Sequence, residues 1–306
     1  MQHNADKIDS LLRAPLEQFP GLDITRENVV QLRAAMAGMP KSETPFAIQS
    51  ESMTVPGEVD VPVQVFRESD RPNQPALLWI HGGGYLFGSA EDERAKLIAH
   101  THDVTVVSVE YRMAPEHPFP AGPNDCYTAL GWMFSDACPL DIDRSRIAIG
   151  GASAGGGMSA GLALMNRDKG NYPIVFQLLI YPMIDNLHET DSGSLEGHAI
   201  WHRKTSFNAW EMYLDGVPGE AASPYAAATR AKDLAGLPPA FVCVGAEDLF
   251  RDEDIDYARR LIAAGVPTEL VVVPGMYHGG ESMVPDAPVS QRLNQSIMTA
   301  IGHALA

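Results

Sequence analysis

The strongest chemical signal in the sequence is a serine that stands among glycines and alanines. Ser153 lies in the segment "GASAG" (151–155), directly after the β-forming run 146–149. Small residues permit a sharp turn from a strand into a helix, with the serine in a strained backbone conformation at its tip. The N–H groups that begin the helix would then stabilise negative charge beside the hydroxyl. The pattern alone is weak, because a tight turn that merely contains a serine matches it equally well.

A glycine-rich segment after another predicted strand supplies a second element of the same chemistry. The run "HGGG" (81–84) follows the apolar stretch 76–80. Its backbone can turn several N–H groups toward one point, where they would stabilise a negatively charged oxygen. A flexible hairpin or a phosphate-binding loop is the alternative, although the sequence lacks the Gly-Lys-Ser/Thr ending of a Walker loop.

An aspartate and a histidine complete the set that a nucleophilic serine requires. Asp248 follows the predicted strand 240–244, and His278 follows the predicted strand 269–273. A serine hydroxyl is a poor nucleophile at neutral pH, so it needs an imidazole to take its proton and a carboxylate to orient that imidazole. Since all three residues follow strands, we expect them to meet at the carboxyl edge of one sheet.

Three other acidic residues compete with Asp248 for the role of orienting carboxylate. They are Glu247, Asp252 and Asp254. We prefer Asp248 because it lies close to the end of the strand. Asp252 and Asp254 suit the first turn of the next helix, where acidic side chains are favourable.

The elements that would position these residues alternate along the chain. Strands are predicted at 47–54, 60–66, 76–80, 104–109, 146–150, 174–180, 240–244 and 269–273. Helical patterns lie between them, which predicts an α/β fold with a mostly parallel eight-stranded sheet and helices on both faces. Pro62 favours an edge position for the second strand, because proline lacks the N–H of the ladder.

Two helices can be placed by their end signals. Ser89 and Asp92 form a start signal for a helix over 92–102. A second helix is predicted over 255–262, and Gly265 marks its end.

Two segments do not fit the alternation of strands and helices. Residues 1–45 are predicted to be helical, since Val29, Leu32 and Met36 recur at helical spacing. Residues 186–230 are too long for a simple crossover, and long excursions from a sheet often cover a site. We therefore expect both to form a helical cap over a catalytic domain that comprises 46–185 and 231–306.

Composition excludes several classes of partner. The chain of 306 residues has a net charge of −17, which would repel nucleic acid and anionic membranes. Its beginning lacks the pattern of a signal peptide, and its longest apolar stretch, 174–184, is too short to span a bilayer. Three cysteines, an odd number without a C-x-x-C pair, fit free thiols in a reducing compartment. We therefore predict a cytoplasmic protein without membrane insertion.

Six segments resemble the hormone-sensitive-lipase-like branch of the α/β-hydrolase esterases, also called bacterial family IV. The resemblance extends from about residue 45 to the end of the chain. The segments are "HGGGYLFGS" (81–89), "VEYRMAPEHPFPAGPND" (109–125), "GGASAGG" (150–156), "YPMID" (181–185), "GAEDLFRDED" (245–254) and "MYHGG" (276–280).

The resemblance implies a complete catalytic machinery. It implies Ser153 as the nucleophile, His278 as general base and acid, and Asp248 as the partner that orients the histidine. The implied oxyanion hole consists of backbone N–H groups of Gly83, Gly84 and Ala154. It also implies the helical cap, a small-molecule ester as substrate, no cofactor and no metal, and a homodimer formed through the last strand.

The sequence departs from the family pattern at two places. An aspartate commonly precedes the serine, where this chain has Ala152. We expect the mechanism to survive, because that side chain is not one of the triad, but the local hydrogen bonding and the pH profile to change. An aromatic residue often stands two positions after the histidine, where this chain has Gly280, followed by Glu281. This change predicts open space and extra negative charge beside the site.

Two further groups of residues have both a structural and a functional interpretation. One group could carry acid–base chemistry and consists of Arg112, Glu116, His117 and Asp125. We favour instead a buried ion-pair network that braces the glycine-rich segment 81–84, called the glycine loop below, since the triad is already complete. The candidate substrate-binding residues are Tyr85, Trp201, His202, Phe207 and Trp210. Those in the insertion either line the substrate entrance or pack the cap against residues 1–45.

The sequence therefore predicts a serine carboxylesterase that hydrolyses short- to medium-chain acyl esters through an acyl-enzyme. A hydrolase of the same fold that prefers amides, carbamates or lactones would carry the same triad. A non-catalytic ligand-binding protein on this scaffold should lack part of the triad, and here all three residues are present.

Overall fold

The centre of the protein is a sheet of eight strands. The computed structural model describes residues 5–18, 23–37, 44–170 and 172–306, and the bounds below refer to these ranges. The strands are β1 Gln49–Val55, β2 Val61–Arg67, β3 Gln74–Ile80, β4 Thr105–Val109, β5 Ile142–Ala152, β6 Gln177–Ile180, β7 Ala240–Gly245 and β8 Thr268–Val273. All eight predicted strands are therefore present, with boundaries that differ by a few residues.

The order of the strands explains how distant residues meet. Across the sheet the order is β1-β2-β4-β3-β5-β6-β7-β8. The pairs β1–β2 and β2–β4 are antiparallel, and every other neighbouring pair is parallel. Because β3, β5, β6, β7 and β8 are parallel, the loops after their carboxyl ends lie along one edge.

Helices cover both faces of the sheet. They are α1 Ala14–Gln18, α2 Val29–Ala37, α3 Glu93–His102, α4 Ala121–Met133, α5 Ala154–Lys169, α6 Asp191–Ser194, α7 Arg203–Leu214, α8 Arg251–Ala263, α9 Gly280–Met283 and α10 Pro288–Ala304. Side chains of β3 alternate between two cores, with Leu78 facing the α4, α5 and α8 side. Leu77 and Trp79 face the α3 and α10 side. Both faces of β3 are therefore apolar, as expected of a parallel strand that is covered on both sides.

Three local predictions were wrong in detail. Pro62 lies in β2, which is the second strand of the sheet and not its edge. The chain tolerates this proline because the ladder from β2 to β4 begins at Val63, one residue later.

The second difference concerns the start of helix α3. Asp92, not Ser89, caps α3, and its carboxylate accepts from the N–H groups of Arg94 and Ala95 at 2.9 and 3.0 Å.

The last of these differences concerns helix α8. It begins at Arg251, four residues before the predicted start. Gly265 lies two residues past its end and has a φ of +81°, a conformation that glycine adopts freely.

The two predicted cap segments contact each other through α7. The N-terminal helical spacing is confirmed by α2, although residues 1–4, 19–22 and 38–43 lie outside the described residues. Asn208 of α7 donates to the carbonyl of Ile24 at 2.8 Å, and Lys204 pairs with Asp23 at 2.8 Å. In the ranges given above, no helix has the length and apolar character needed to cross a membrane.

Candidate active site

Ser153 occupies the turn between β5 and α5. Its φ of 57° and ψ of −122° are unusual for a residue with a side chain. Such a conformation costs about 1–3 kcal/mol and persists only where the surroundings enforce it. Here the N–H of Ser153 donates to the carbonyl of Ile180 at 2.9 Å, which ties the turn to the end of β6.

The glycines around Ser153 allow β3 to approach this turn. A Cβ atom at Gly155 would lie 1.9 Å from the carbonyl oxygen of Ile80, and one at Gly151 would lie 2.4 Å from the same atom. Both distances are shorter than any side chain tolerates. The glycines are therefore needed because the end of β3, where the glycine loop begins, packs directly against the turn that holds Ser153.

His278 lies between Ser153 and Asp248 and contacts both. Its Nε2 is 2.9 Å from Oγ of Ser153, and its Nδ1 is 2.8 Å from Oδ2 of Asp248. The other carboxylate oxygen of Asp248 accepts from the N–H of Phe250 at 3.0 Å. All three side chains are buried, with Ser153 8% and His278 7% exposed. A hydrogen-bonded chain of this kind can move a proton from the hydroxyl to the imidazole.

The competing acidic residues have other positions. Asp252 and Asp254 lie in the first turn of α8, as expected from the sequence. Asp252 pairs with Arg251 and accepts from the N–H of Ser192 at 2.7 Å. Asp254 is fully buried, and burial, followed by the nearby Glu253 and Asp248, raises its pKa well above the ordinary value.

The glycine loop lies close to Ser153, since a Cβ at Gly82 would be 3.4 Å from the Cβ of Ser153. Gly83 and Gly84 have φ values of 109° and 61°, which explains why glycine occupies both positions. The carbonyl of Gly83 accepts from Leu86 and Phe87 at 3.0 Å. Within the described part of the chain, the N–H groups of Gly83, Gly84 and Ala154 donate to no protein acceptor, so they are available to a ligand.

His81 fixes the start of the glycine loop. Its Nδ1 lies 2.8 Å from the carbonyl of Gly82, and its ring stacks on Tyr111 with 4.3 Å between the ring centroids. The Tyr111 hydroxyl donates to the carbonyl of His81 at 3.1 Å. Burial lowers the pKa of His81, so the ring stays neutral near pH 7 and Nδ1 donates its hydrogen to the loop.

The predicted ion-pair network has a different composition. Arg112 binds Asp125 with two nitrogens, the shortest contact being 2.7 Å. Glu116 instead pairs at 2.8 Å with Arg33 of α2, which also donates to the carbonyl of Leu86. The sequence suggested one network within 112–125, whereas the second pair joins the N-terminal segment to the glycine loop.

Of the candidate substrate-binding residues, Trp201 has a ring contact with His278. A Cβ at Gly84 would be 2.3 Å from the Cη2 atom of Trp201, so the indole covers the glycine loop. Its ring centroid is 6.5 Å from that of His278. His202 caps α7 through its ring, and Phe207 lies on α7 with 36% of its surface exposed.

Tyr85 and Trp210 have packing contacts instead. The Tyr85 hydroxyl donates to the carbonyl of Met183 at 2.7 Å, and its ring stacks on Tyr213 at 3.9 Å. Trp210 is fully buried and its ring contacts Tyr85 at 5.2 Å. The two residues therefore join the insertion to the core, and neither presents an open surface to a ligand.

The expectations for Gly280 and Glu281 were wrong. A Cβ at Gly280 would lie 2.7 Å from the sulfur of Met276 and 3.3 Å from the ring of Tyr277, so the missing side chain leaves no open space. Glu281 is fully buried and pairs with Arg94 at 2.8 Å. The paired cation cancels the expected extra charge.

Sequence reasoning missed Tyr181, whose ring meets that of His278 edge-on at 4.8 Å. Two signals were available: its place directly after β6, and its position as the first residue of the segment "YPMID" (181–185) in the family resemblance. It also missed Glu253, which is buried and accepts from the N–H groups of Ile184 and Asp185 at 3.1 and 3.0 Å. Acidic residues in the first turn of a helix are usually solvated, so no sequence pattern indicated this buried contact.

Comparison with protein families gives one match that spans the site. A family model described as "alpha/beta hydrolase fold" matches residues 77–281, which is more than half of the chain. The matched range includes the glycine loop, Ser153, Asp248 and His278.

Individual relatives match over nearly the whole chain. Carboxylesterase NlhH of Mycobacterium tuberculosis is 35% identical over 315 residues, covering 97% of this chain and 96% of the relative. The solved structure of a bacterial heroin esterase is 37% identical with a TM-score of 0.90, covering 98% of this chain and 99% of that one. The structure of esterase LipW from Mycobacterium marinum is 33% identical with a TM-score of 0.87, covering 99% and 98%.

Proposed function

Because the chain belongs to the α/β-hydrolase fold family, in its hormone-sensitive-lipase-like branch, we propose that it is a serine carboxylesterase with Ser153 as its nucleophile. The observation that carries the proposal is the pair of contacts made by His278, at 2.9 Å to Ser153 and 2.8 Å to Asp248. A hydroxyl, an imidazole and a carboxylate in this order form a machinery for acyl transfer.

In the first half of the reaction, the ester acylates Ser153. His278 accepts the hydroxyl proton at Nε2 while Oγ attacks the ester carbonyl carbon. Asp248 keeps the hydrogen of the neutral ring on Nδ1 and stabilises the imidazolium that forms. His278 then gives the proton to the departing alcohol, and the acyl group remains on Ser153.

The tetrahedral intermediate carries a negative oxygen that needs fixed donors. The unoccupied N–H groups of Gly83, Gly84 and Ala154 fill this role in the proposal. Removing one such donor typically costs about 3 kcal/mol in the transition state. The Ala154 N–H also begins α5, where the helix dipole favours negative charge.

In the second half, water hydrolyses the acyl-enzyme by the same route. His278 takes a proton from water, which attacks the acyl carbon, and then returns that proton to Oγ of Ser153. No step requires a cofactor or a metal ion.

The surroundings of Ser153 favour small esters with short to medium acyl chains. A groove of about 500 Å³ runs along the glycine loop. It is lined by Arg33 and Met36 of α2 and by Gly82, where a Cβ would lie 3.4 Å from the Cβ of Ser153. None of Ser153, Asp248 and His278 lines this groove, and neither does Trp201, whose indole lies over Gly84 and limits the room above the glycine loop. The relatives named above are carboxylesterases and esterases by name, which agrees with this substrate class.

The proposal extends to the organisation of the chain. Residues 1–45 and 186–230 form the cap over the catalytic domain of 46–185 and 231–306, supported by the contacts of α7 with Asp23 and Ile24. The protein forms a homodimer through β8, which is an edge strand with Val272 37% exposed. A cytoplasmic location is supported by three cysteines that are buried free thiols.

The direct test is hydrolysis of p-nitrophenyl butyrate by Ser153→Ala. We expect complete loss of turnover, with an unfolding midpoint close to that of the unsubstituted protein. Ser159→Ala is the matched control, because Ser159 lies in α5, the helix that directly follows Ser153, and is also buried, with its hydroxyl donating to the carbonyl of Gly155 at 2.8 Å. This variant should keep its activity. A folded Ser153→Ala protein with full activity would overturn the assignment.

A further inference from the structure

A buried ion pair between Glu281 and Arg94 is connected to the imidazole of His278 through Tyr181, and the proposed reaction does not use it. Glu281 comes three residues after His278, and its side chain is fully buried. Its Oε1 accepts from Nη2 of Arg94 at 2.8 Å, from the Tyr181 hydroxyl at 2.7 Å and from the Ser282 hydroxyl at 3.0 Å. Three donors therefore converge on one carboxylate oxygen.

The cluster fixes the Tyr181 hydroxyl to several separate elements. Arg94 belongs to α3 and also donates to the side chain of Asn294 in α10 at 3.1 Å. Glu281 belongs to α9, and Tyr181 directly follows β6. Burial, followed by the nearby Glu281, raises the pKa of Tyr181 well above its ordinary value, so the phenol keeps its proton and donates it.

The other end of Tyr181 contacts the catalytic imidazole. Its ring meets that of His278 with 4.8 Å between centroids and an interplanar angle of 67°. The backbone there has a φ of 35° and is held by a hydrogen bond from the Tyr181 N–H to the carbonyl of Cys243 at 2.7 Å. The tyrosine therefore connects the ion pair to the histidine and is fixed at its backbone and at its hydroxyl.

The position of the imidazole decides whether both of its hydrogen bonds can form. A tilt of the ring lengthens the contact to Ser153, the contact to Asp248, or both. A misplacement of about 1 Å at a reacting centre can cost about 100-fold in rate. Because Glu281 and Arg94 carry opposite charges, the cluster adds no net charge beside the ring, and its effect is on position.

We propose that Tyr181, held by the buried Glu281–Arg94 ion pair, is a positioning residue that sets the imidazole of His278 for proton transfer from Ser153 and, in the second half of the reaction, from water. This role rests on the proposed function. It assigns to the cluster an effect on the chemical step and none on the binding of substrate.

The test is the kinetics of Tyr181→Phe, which removes only the hydroxyl. We expect kcat for p-nitrophenyl butyrate to fall about tenfold, part of the loss that a full displacement would cause, with KM unchanged. Tyr277→Phe is the matched control. Tyr277 is also buried and is next to His278 in the chain, but its hydroxyl donates to the carbonyl of Leu12 at 3.0 Å. Its kcat should stay within twofold of the unsubstituted protein.

A second readout isolates the reaction of Ser153. The rate of inactivation by diethyl p-nitrophenyl phosphate depends on deprotonation of Ser153 by His278 and not on release of product. In Tyr181→Phe this rate should fall by the same factor as kcat. If the unsubstituted protein does not react with the phosphate or the ester, the proposed function fails. If it reacts, and Tyr181→Phe reacts equally fast, only the positioning role is wrong.

Substitutions of Arg94 test the ion pair itself. Arg94→Lys keeps a cation that can reach Glu281, whereas Arg94→Met leaves that carboxylate without its charged partner. The lysine variant should therefore retain a larger kcat than the methionine variant at equal KM. Equal kcat values in the two variants, or a change confined to KM, would show that the ion pair does not act on the histidine.

Discussion

Substitution of Gly155 allows a quantitative test of how Ser153 is positioned. Substitution Gly155→Ala would place a Cβ 1.9 Å from the carbonyl oxygen of Ile80 and 2.6 Å from that of His81. Real Cβ atoms essentially never approach another atom closer than 3.0 Å, so α5 and the end of β3 must separate by at least 1.1 Å. No side-chain rotation relieves this contact, because both neighbours are backbone atoms.

The expected cost affects both stability and activity. Overpacking a core costs about 1–3 kcal/mol, and we expect the upper end because backbone has to move. The same separation moves Ser153 away from the N–H groups of the glycine loop. A displacement of about 1 Å can lower the rate about 100-fold, so kcat for p-nitrophenyl butyrate should fall by about that factor.

Urea unfolding and ester hydrolysis measure the two effects in one protein preparation. Gly216→Ala is the control, because a Cβ at Gly216 meets no atom within 4 Å and the residue follows α7 at the surface. The control should lose no stability and is expected to gain up to about 1 kcal/mol in the free energy of unfolding, because alanine restricts the unfolded chain. If Gly155→Ala unfolds at the same urea concentration and turns over at the same rate as the unsubstituted protein, the explanation for this glycine is wrong.

Two further predictions concern the acidic partner of the histidine and the cap. Asp248→Asn should lower kcat about 10⁴-fold, because the histidine loses the group that fixes its tautomer, whereas Asp252→Asn should have a small effect; the reverse ranking would transfer the role. His188 lies in the segment 186–230, and its side chain is buried. Burial lowers the pKa of His188 from 6.5 to about 4, so the folded protein should lose about 3 kcal/mol of stability as the pH falls from 6.5 to 4. Urea unfolding at both pH values should show a smaller loss of stability in His188→Asn than in the unsubstituted protein. An equal loss would show that protonation of His188 is not the cause.

Short apolar strands could be predicted because their burial follows from local sequence. In β3 and β7 nearly every side chain is apolar and every position is buried, so the run of residue types alone predicts a covered strand. The positions of Ser153, Asp248 and His278 followed from the same reasoning. Each comes just after a strand, and parallel strands bring those ends to one edge.

Contacts between distant segments could not be predicted, because the sequence does not show which residues face each other. Glu116 lies close in sequence to Arg112, but its partner is Arg33, more than eighty residues away in the chain. Glu281 was expected to add negative charge, since nothing near it in sequence indicates that Arg94 of α3 neutralises it. Gly280 was expected to leave space, which Met276 and Tyr277 occupy.

The mass of the protein during turnover shows directly whether Ser153 carries the acyl group. With p-nitrophenyl butyrate the leaving group departs easily, so acylation should outpace hydrolysis and the acyl-enzyme should accumulate. Acid quenching followed by peptide mass spectrometry should find one butyryl group, located on Ser153, and none in Ser153→Ala. Turnover with the butyryl group on another residue, or with no acylated protein at any quench time, would show that Ser153 is not the nucleophile.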